Sequence, residues 1–220
     1  MKYPYCLYSP RVKIHPLVRK LKGEPYVLDL SFRNPSLLEL ENRDQMELQN
    51  RIDQAMGDRH TWGLAGYLER RDTLLRDCPQ MVSEERFYHL GLDVIVPAGT
   101  PLHAPLSAVV ETAGYEEGEG NYGAYVLLRH EDVSGEPFYS LYGHLSRGDL
   151  PAEGARVKAG RPFAVVGDFH ENGNWFHHTH LQIITREGFE KGYVSKGYCT
   201  RMDLADMPDL CPSPIPFFRI

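Results

Sequence analysis

The apolar positions of this chain change period near Thr61. Upstream, Leu37, Leu38, Leu40, Met46, Leu48, Ile52 and Met56 recur at roughly helical spacing, with Glu, Gln, Asn, Arg and Asp between them. Asn34 suits an N-cap, Pro35 fits the first helical position, and Gly57 can close the far end. The pattern predicts one long amphipathic helix from about Pro35 to Met56, and its apolar face has to be buried on the remainder of the chain. Tyr26 to Leu30, ahead of it, reads as a strand.

Downstream of Thr61 the period shortens. Runs rich in β-branched and aromatic residues alternate with turn clusters such as Pro97-Ala98-Gly99-Thr100 and Glu117-Gly118-Glu119-Gly120-Asn121. The candidate strands are Trp62 to Glu69, Leu92 to Val96, Ala108 to Ala113, Ala124 to His130, Phe138 to Leu145, Pro162 to Gly167 and Thr179 to Thr185. Many short strands at this spacing predict a mainly β, antiparallel core. Pro208, Pro212, Pro214 and Pro216 predict an extended tail laid over the domain. The expected organisation is an N-terminal extension over residues 1–80, a core domain over 81–190 and a Pro-rich tail over 191–220.

Composition narrows the classes. A hydrophobic fraction of 42% is enough for a sizeable core, and a net charge of −6 with no Lys/Arg block speaks against nucleic acid as a partner. No apolar run approaches the ~18–20 residues of a membrane span. The first residues lack the apolar stretch and small-residue cleavage site of a signal peptide, so a cytoplasmic location is expected. Cys6, Cys78, Cys199 and Cys211 form no CxxC pair and are expected to be reduced, with a Cys199–Cys211 disulfide as the lesser alternative.

Of the ten histidines, all but His15 and His60 lie between His89 and His180. His178-Thr179-His180, if a strand, puts both imidazoles on one face, their Cα atoms about 6.5–7 Å apart. One could bind a metal while the other reaches a water, or both could be surface residues. In His89-Leu90-Gly91-Leu92-Asp93 a straight strand would separate the outer Cα atoms by about 13 Å, so shared metal binding needs a bend, which Gly91 permits. His144, at the end of Tyr139-Ser140-Leu141-Tyr142-Gly143-His144, could equally be structural. Two His and one carboxylate would leave an open position on a metal, the catalytic rather than the structural arrangement of zinc.

Together these elements resemble the M23 family of zinc metallopeptidases, the LytM/lysostaphin-like group of peptidoglycan endopeptidases. His-x-x-x-Asp, Val96-Pro97-Ala98-Gly99-Thr100-Pro101, Tyr122-Gly123-Ala124-Tyr125-Val126, Tyr142-Gly143-His144-Leu145 and His-x-His follow the family's order across residues 86–186. The resemblance implies a folded antiparallel sheet with a central groove, carrying one Zn²⁺ per chain on His89, Asp93 and His180. It implies His178 as catalytic base and His144 as the second catalytic histidine. The implied activity is hydrolysis of peptide bonds by a metal-activated water, on a peptide or amide substrate derived from peptidoglycan. Two alternatives stand beside it: a non-catalytic binding or regulatory module on the same scaffold, and an intracellular hydrolase of small amides.

The chain departs from the family pattern in two places. Gln182 stands where a Glu is usual, and the run before His178 adds His170 and His177, which are expected at the surface. His103 and His130 are expected to be structural. The helix and the tail are expected to narrow the two ends of the groove. No residue indicates an oligomeric state.

Overall fold

Strands form where alternation is strongest, and the longest three are neighbours. The computed structural model describes residues 3–40 and 44–218. The strands are β1 (Tyr26–Leu28), β2 (Gly63–Ala65), β3 (Tyr88–His89), β4 (Leu92–Ile95), β5 (Pro101–His103) and β6 (Ala108–Glu116). They continue as β7 (Gly123–Glu131), β8 (Pro137–Leu145), β9 (Arg156–Val157), β10 (Pro162–Val165), β11 (His178–Thr185) and β12 (Tyr198–Cys199). One eight-stranded sheet runs β1-β2-β4-β11-β8-β7-β6-β9, and the short pairs β10-β5 and β12-β3 flank it.

The sheet is antiparallel except at one edge, where β1 pairs with β2 in parallel. That exception corrects the all-antiparallel expectation. Residues 29–62 separate the two strands, and a segment of that length can carry the crossover that parallel pairing requires.

The expected single helix is also corrected. Asn34 caps as anticipated, accepting from the Ser36 N–H, but the turn it starts is a 3₁₀ helix that stops at Glu39, with Leu40 extended. A new N-cap, Asp44, accepts from the Glu47 N–H at 2.8 Å and starts α1 (Gln45–Met56). The break buries Leu37 and Leu40 together with Leu48 and Ile52, while Leu38 stays exposed. These residues pack with Leu28, Leu75, Ile95, Trp175 and Phe176 into one cluster on a face of the sheet. Two short helices follow, α2 (Asp72–Leu75) and α3 (Pro79–Ser83).

The tail is not extended. After α4 (Arg186–Glu190), it folds into α5 (Met207–Leu210) and 3₁₀ turns at Tyr193–Ser195, Met202–Ala205 and Ile215–Phe218. Pro208 lies in the first turn of α5, where a missing N–H costs nothing. All four cysteines are buried thiols, and Cys199 and Cys211 remain unbridged. Among the described residues no helix is long and apolar enough to cross a membrane.

Strand β11 is central and buried on both faces. Leu181 and Ile183 point into the main core. His178, His180, Gln182 and Ile184 alternate with them and face the other side.

Candidate metal centre

Register aligns the site. On β11, His180 stands opposite Asp93 of β4 on one side and Gly143 of β8 on the other. Directly opposed residues of an antiparallel pair share a face, so Asp93 and His180 meet by strand pairing alone. His89 reaches them because the chain turns between β3 and β4. Gly91 sits at that turn, but its φ is not positive. A Cβ there would meet Leu181 O at 2.6 Å and the His180 ring at 2.7 Å, so close approach of the ring is what requires glycine.

His144 needs a further device. Alternation along β8 would send it to the main core with Tyr142. The β7–β8 register instead slips by one residue between Ala124 and Val126, and His144 takes φ of +62°. This bulge turns the imidazole to the His178 side, with ring centroids 4.4 Å apart.

The hydrogen-bond partners assign the imidazole protons. Gly66 O can only accept, so His89 Nδ1, 2.8 Å away, carries the hydrogen and Nε2 is bare. Tyr193 O takes the Gln182 amide N–H, which leaves Gln182 Oε1 to accept from His180 Nε2 at 3.1 Å. His180 Nδ1 is therefore bare. His178 Nδ1 donates to Phe176 O and His144 Nδ1 to Asn172 O, both at 2.8 Å, so their Nε2 atoms are bare too.

The bare atoms face one another. His89 Nε2 and His180 Nδ1 lie 2.8 Å apart, and Asp93 Oδ1 is 3.1 Å from the first and 3.5 Å from the second. His178 Nε2 is 3.5 Å from the same oxygen. The second Asp93 oxygen accepts from Arg71 Nη1 at 2.6 Å. His89, Asp93 and His180 thus offer three ligand atoms within 4.8 Å of one another, all in buried residues.

Electrostatics favours the unprotonated forms. Burial, aided by Arg71, pushes the His89 pKa down to about 3. Burial takes His178 to about 4 and holds His144 well below its ordinary value. Burial opposes the Asp93 charge, but His89 and Arg71 outweigh it and hold this carboxyl well below the usual range. Three buried acceptors with no proton between them form a site that a metal cation fits.

The centre opens into a cavity of about 400 Å³. Its walls include Met81 of α3, Asn121 and Tyr122 before β7, Trp175, and Gly197 and Tyr198. Neither α1 nor residues 207–218 line it, contrary to the expected narrowing by the helix and the Pro-rich end of the tail from Pro208, whereas Ser195, Gly197 and Tyr198 earlier in the tail do line it. The loop before β11 is nonetheless tied to α1: Gln45 Oε1 accepts from the Phe176 N–H and Gln49 Oε1 from the His177 N–H.

Of the five residues singled out in the sequence, Asp93, His144, His178 and His180 line this cavity, and His89 lies fully buried behind it against Asp93 and His180. His177 instead pairs with Asp168 at 2.9 Å, and His170 is exposed. His130 is buried away from the cavity, donating to Ser107 O and accepting from Ser140 Oγ. The sequence reading missed Arg71, Glu69 and Asn172. Gln182 could have been found by alternation, since it continues the His178–His180 face.

Over residues 87–191 the chain matches the model of peptidase family M23. It is similar to an uncharacterized metalloprotease of Haemophilus influenzae, 39% identical over 80 residues. It is also similar to the peptidoglycan DD-endopeptidase ShyC of Vibrio cholerae, 37% identical over 79 residues. Each match covers 36% of this chain, but only 15% and 16% of the respective relative, so the chain accounts for a small part of either protein. Among solved structures, the catalytic domain of lysostaphin from Staphylococcus simulans superposes with 23% identity and a TM-score of 0.40, covering 54% of this chain and 79% of that one.

Proposed function

We propose that this protein is a zinc-dependent peptidase in which His89, Asp93 and His180 hold the metal. One observation carries the reading: His89 Nε2, His180 Nδ1 and Asp93 Oδ1 converge as bare acceptors, each residue held from behind by Gly66 O, Gln182 and Arg71 respectively. Nitrogen and carboxylate donors of this kind suit Zn²⁺. Bound there, Zn²⁺ would polarise a scissile amide carbonyl and make water a stronger acid.

The protein's own groups supply the proton handling. His178 Nε2 is the acceptor for the attacking water's proton, and its Nδ1–H bond to Phe176 O supports the imidazolium that results. The same atom then returns the proton to the leaving amine. His144, held neutral by burial, accepts a hydrogen bond at Nε2 from the water's other O–H and so orients it. Trp175, Phe176 and Tyr122 wall the cavity and exclude bulk water.

The name of one relative, a peptidoglycan DD-endopeptidase, supports a peptide of peptidoglycan origin, and the cavity's size favours a short stretch of it. The test is a cleavage screen over muropeptides, cross-linked glycan, glycine-rich peptides and small amides, with elemental analysis alongside. The expected result is about one Zn²⁺ per chain and cleavage of muropeptides in preference to small amides. Stoichiometric zinc with no turnover on any substrate would replace this reading by the binding-module alternative.

A further inference from the structure

The metal ligands all fall within the family segment, but part of what holds them does not. Residues 66–71 run beside 87–89 in a short ladder: Leu68 N–H donates to His89 O, His89 N–H to Glu69 O, and Arg71 N–H to Phe87 O. This pairing delivers three groups to the centre from outside residues 87–191. Gly66 O fixes the His89 tautomer. Arg71 enters as a side chain only 1% exposed. Glu69 follows it, accepting from Arg71 Nε at 2.7 Å through one oxygen and from the Leu30 N–H at 3.1 Å through the other.

We propose that Arg71, with Glu69 as its counter-charge, is the positioning residue of the metal centre. Its guanidinium takes Asp93 Oδ2 and turns Oδ1 toward His89 and His180. The inference rests on the reading of these three residues as ligands.

Chemistry favours a positioning role over a merely structural one. A buried arginine beside one carboxylate would satisfy charge; here the fork spans two, in a fixed plane that lysine cannot reproduce. Nη1 serves Asp93 and Nε serves Glu69, so rotation of the Asp93 carboxylate would break a 2.6 Å charge-assisted bond. Without Glu69, the Arg71 charge would be balanced by Asp93 alone, and the guanidinium would compete with the metal for that carboxylate. Glu69 is in turn anchored by a backbone N–H of the N-terminal segment, so that segment reaches Asp93 through two ion pairs. Tyr198 Oη, 3.5 Å from Arg71 Nη1, closes the other side.

The test uses the full chain and reads metal affinity, by competition with a chromophoric chelator for Zn²⁺, and the visible spectrum of the Co²⁺-loaded protein. Arg71→Gln should weaken zinc binding about 10–100-fold, the usual cost of losing an outer partner of a ligand. The Co²⁺ bands should shift in the same variant, because a freed carboxylate can turn. Glu69→Gln should weaken binding by less. The double variant should be no worse than Arg71→Gln alone, since Glu69 acts through Arg71. Arg71→Lys should rescue only partly.

Unchanged affinity and an unchanged Co²⁺ spectrum in Arg71→Gln would overturn the proposal. So would independent, multiplicative losses in the double variant. Should Arg71→Gln fail to fold by far-UV circular dichroism, Glu69→Gln and Arg71→Lys carry the same test, with parental affinity in both overturning it. A parent chain that binds no zinc would sink the ligand reading itself, an outcome distinct from a zinc-binding parent with indifferent variants.

Discussion

The two halves of the candidate centre are built by different means. His178, His180 and Asp93 are placed by strand pairing, with Asp93 and His180 directly opposed in the β4–β11 ladder. Gly66, Glu69, Arg71, Gln45 and Gln49 reach the centre from segments far upstream, each through one or two hydrogen bonds. The first half is repetitive and therefore robust: period and register determine which way each side chain faces. The second half depends on how a separate stretch of chain folds back. In the proposed reading the strand-borne groups accordingly carry the chemistry, and the upstream groups hold and orient them.

The largest expected difference between the halves lies in metal content. His180→Ala should reduce bound zinc from about one equivalent to a trace, while Gln49→Ala should leave it intact; elemental analysis decides. Asp93→Ala should also lose the metal, and in addition take from the buried Arg71 the nearer of its two counter-charges, leaving Glu69 alone to balance it, at a stability cost of up to roughly 3–5 kcal/mol. Its chemical denaturation midpoint should therefore fall well below that of His180→Ala. Equal midpoints would mean that Arg71 finds another partner.

Catalysis comes next in size. His178→Ala should keep zinc and lose cleavage rate by about 10²–10⁴-fold. Loss of metal in this variant would move His178 from proton acceptor to ligand.

A buried histidine on the same sheet but outside the cavity should affect stability alone. Burial lowers the His130 pKa from 6.5 to about 4. Between these values the unfolded chain takes up a proton that the folded one refuses, so stability is full above pH 6.5, falls as pH drops toward 4, and then levels off. The loss amounts to roughly 3 kcal/mol across the window at about 1.4 kcal/mol per unit. Denaturant titrations from pH 4 to 7.5 should show a shallower slope in His130→Asn than in the parent, the remainder coming from His89, His144 and His178, which burial also holds below their ordinary values.

The smallest effects belong to the braces. Gly91→Ala would push a methyl group against Leu181 O and the His180 ring, costing about 1–3 kcal/mol by overpacking and weakening zinc binding with it. Gln45→Ala would leave the buried Phe176 N–H without its partner, at about 1–3 kcal/mol. Because Phe176 O also holds His178, a several-fold fall in cleavage rate should accompany it. Thermal melts and kinetics on the two variants separate a packing defect from a misplaced imidazole.

Much of the strand-borne half was legible in the chain. Alternation in His178-Thr179-His180 put both rings on one face, and the need for a bend before Asp93 followed from the length of an extended segment. Gly91 was correctly singled out but for a different reason: it makes room for the His180 ring rather than permitting a special φ. The helix over residues 35–56 was legible as an apolar face and illegible as a break. Its periodicity is close to continuous, and only burial of both Leu37 and Leu40 against the sheet interrupts it.

The amino-acid sequence by itself determined the mainly β character, the positions of the long strands and the five candidate site residues, because alternation and turn chemistry act over a few neighbouring residues. Tertiary structure alone decided the remainder. The bulge that turns His144 into the cavity arises from a one-residue slip between β7 and β8, which no local pattern announces. The folding of the Pro-rich tail into short turns follows from burying Met207, Leu210 and Phe217. Arg71 looks like any surface arginine in Glu69-Arg70-Arg71. It becomes the buried partner of Asp93 only when residues 66–71 lie against 87–89, since a charge is stable without water only where opposite charge meets it, and the neighbouring Glu69 is joined there by Asp93 from another strand.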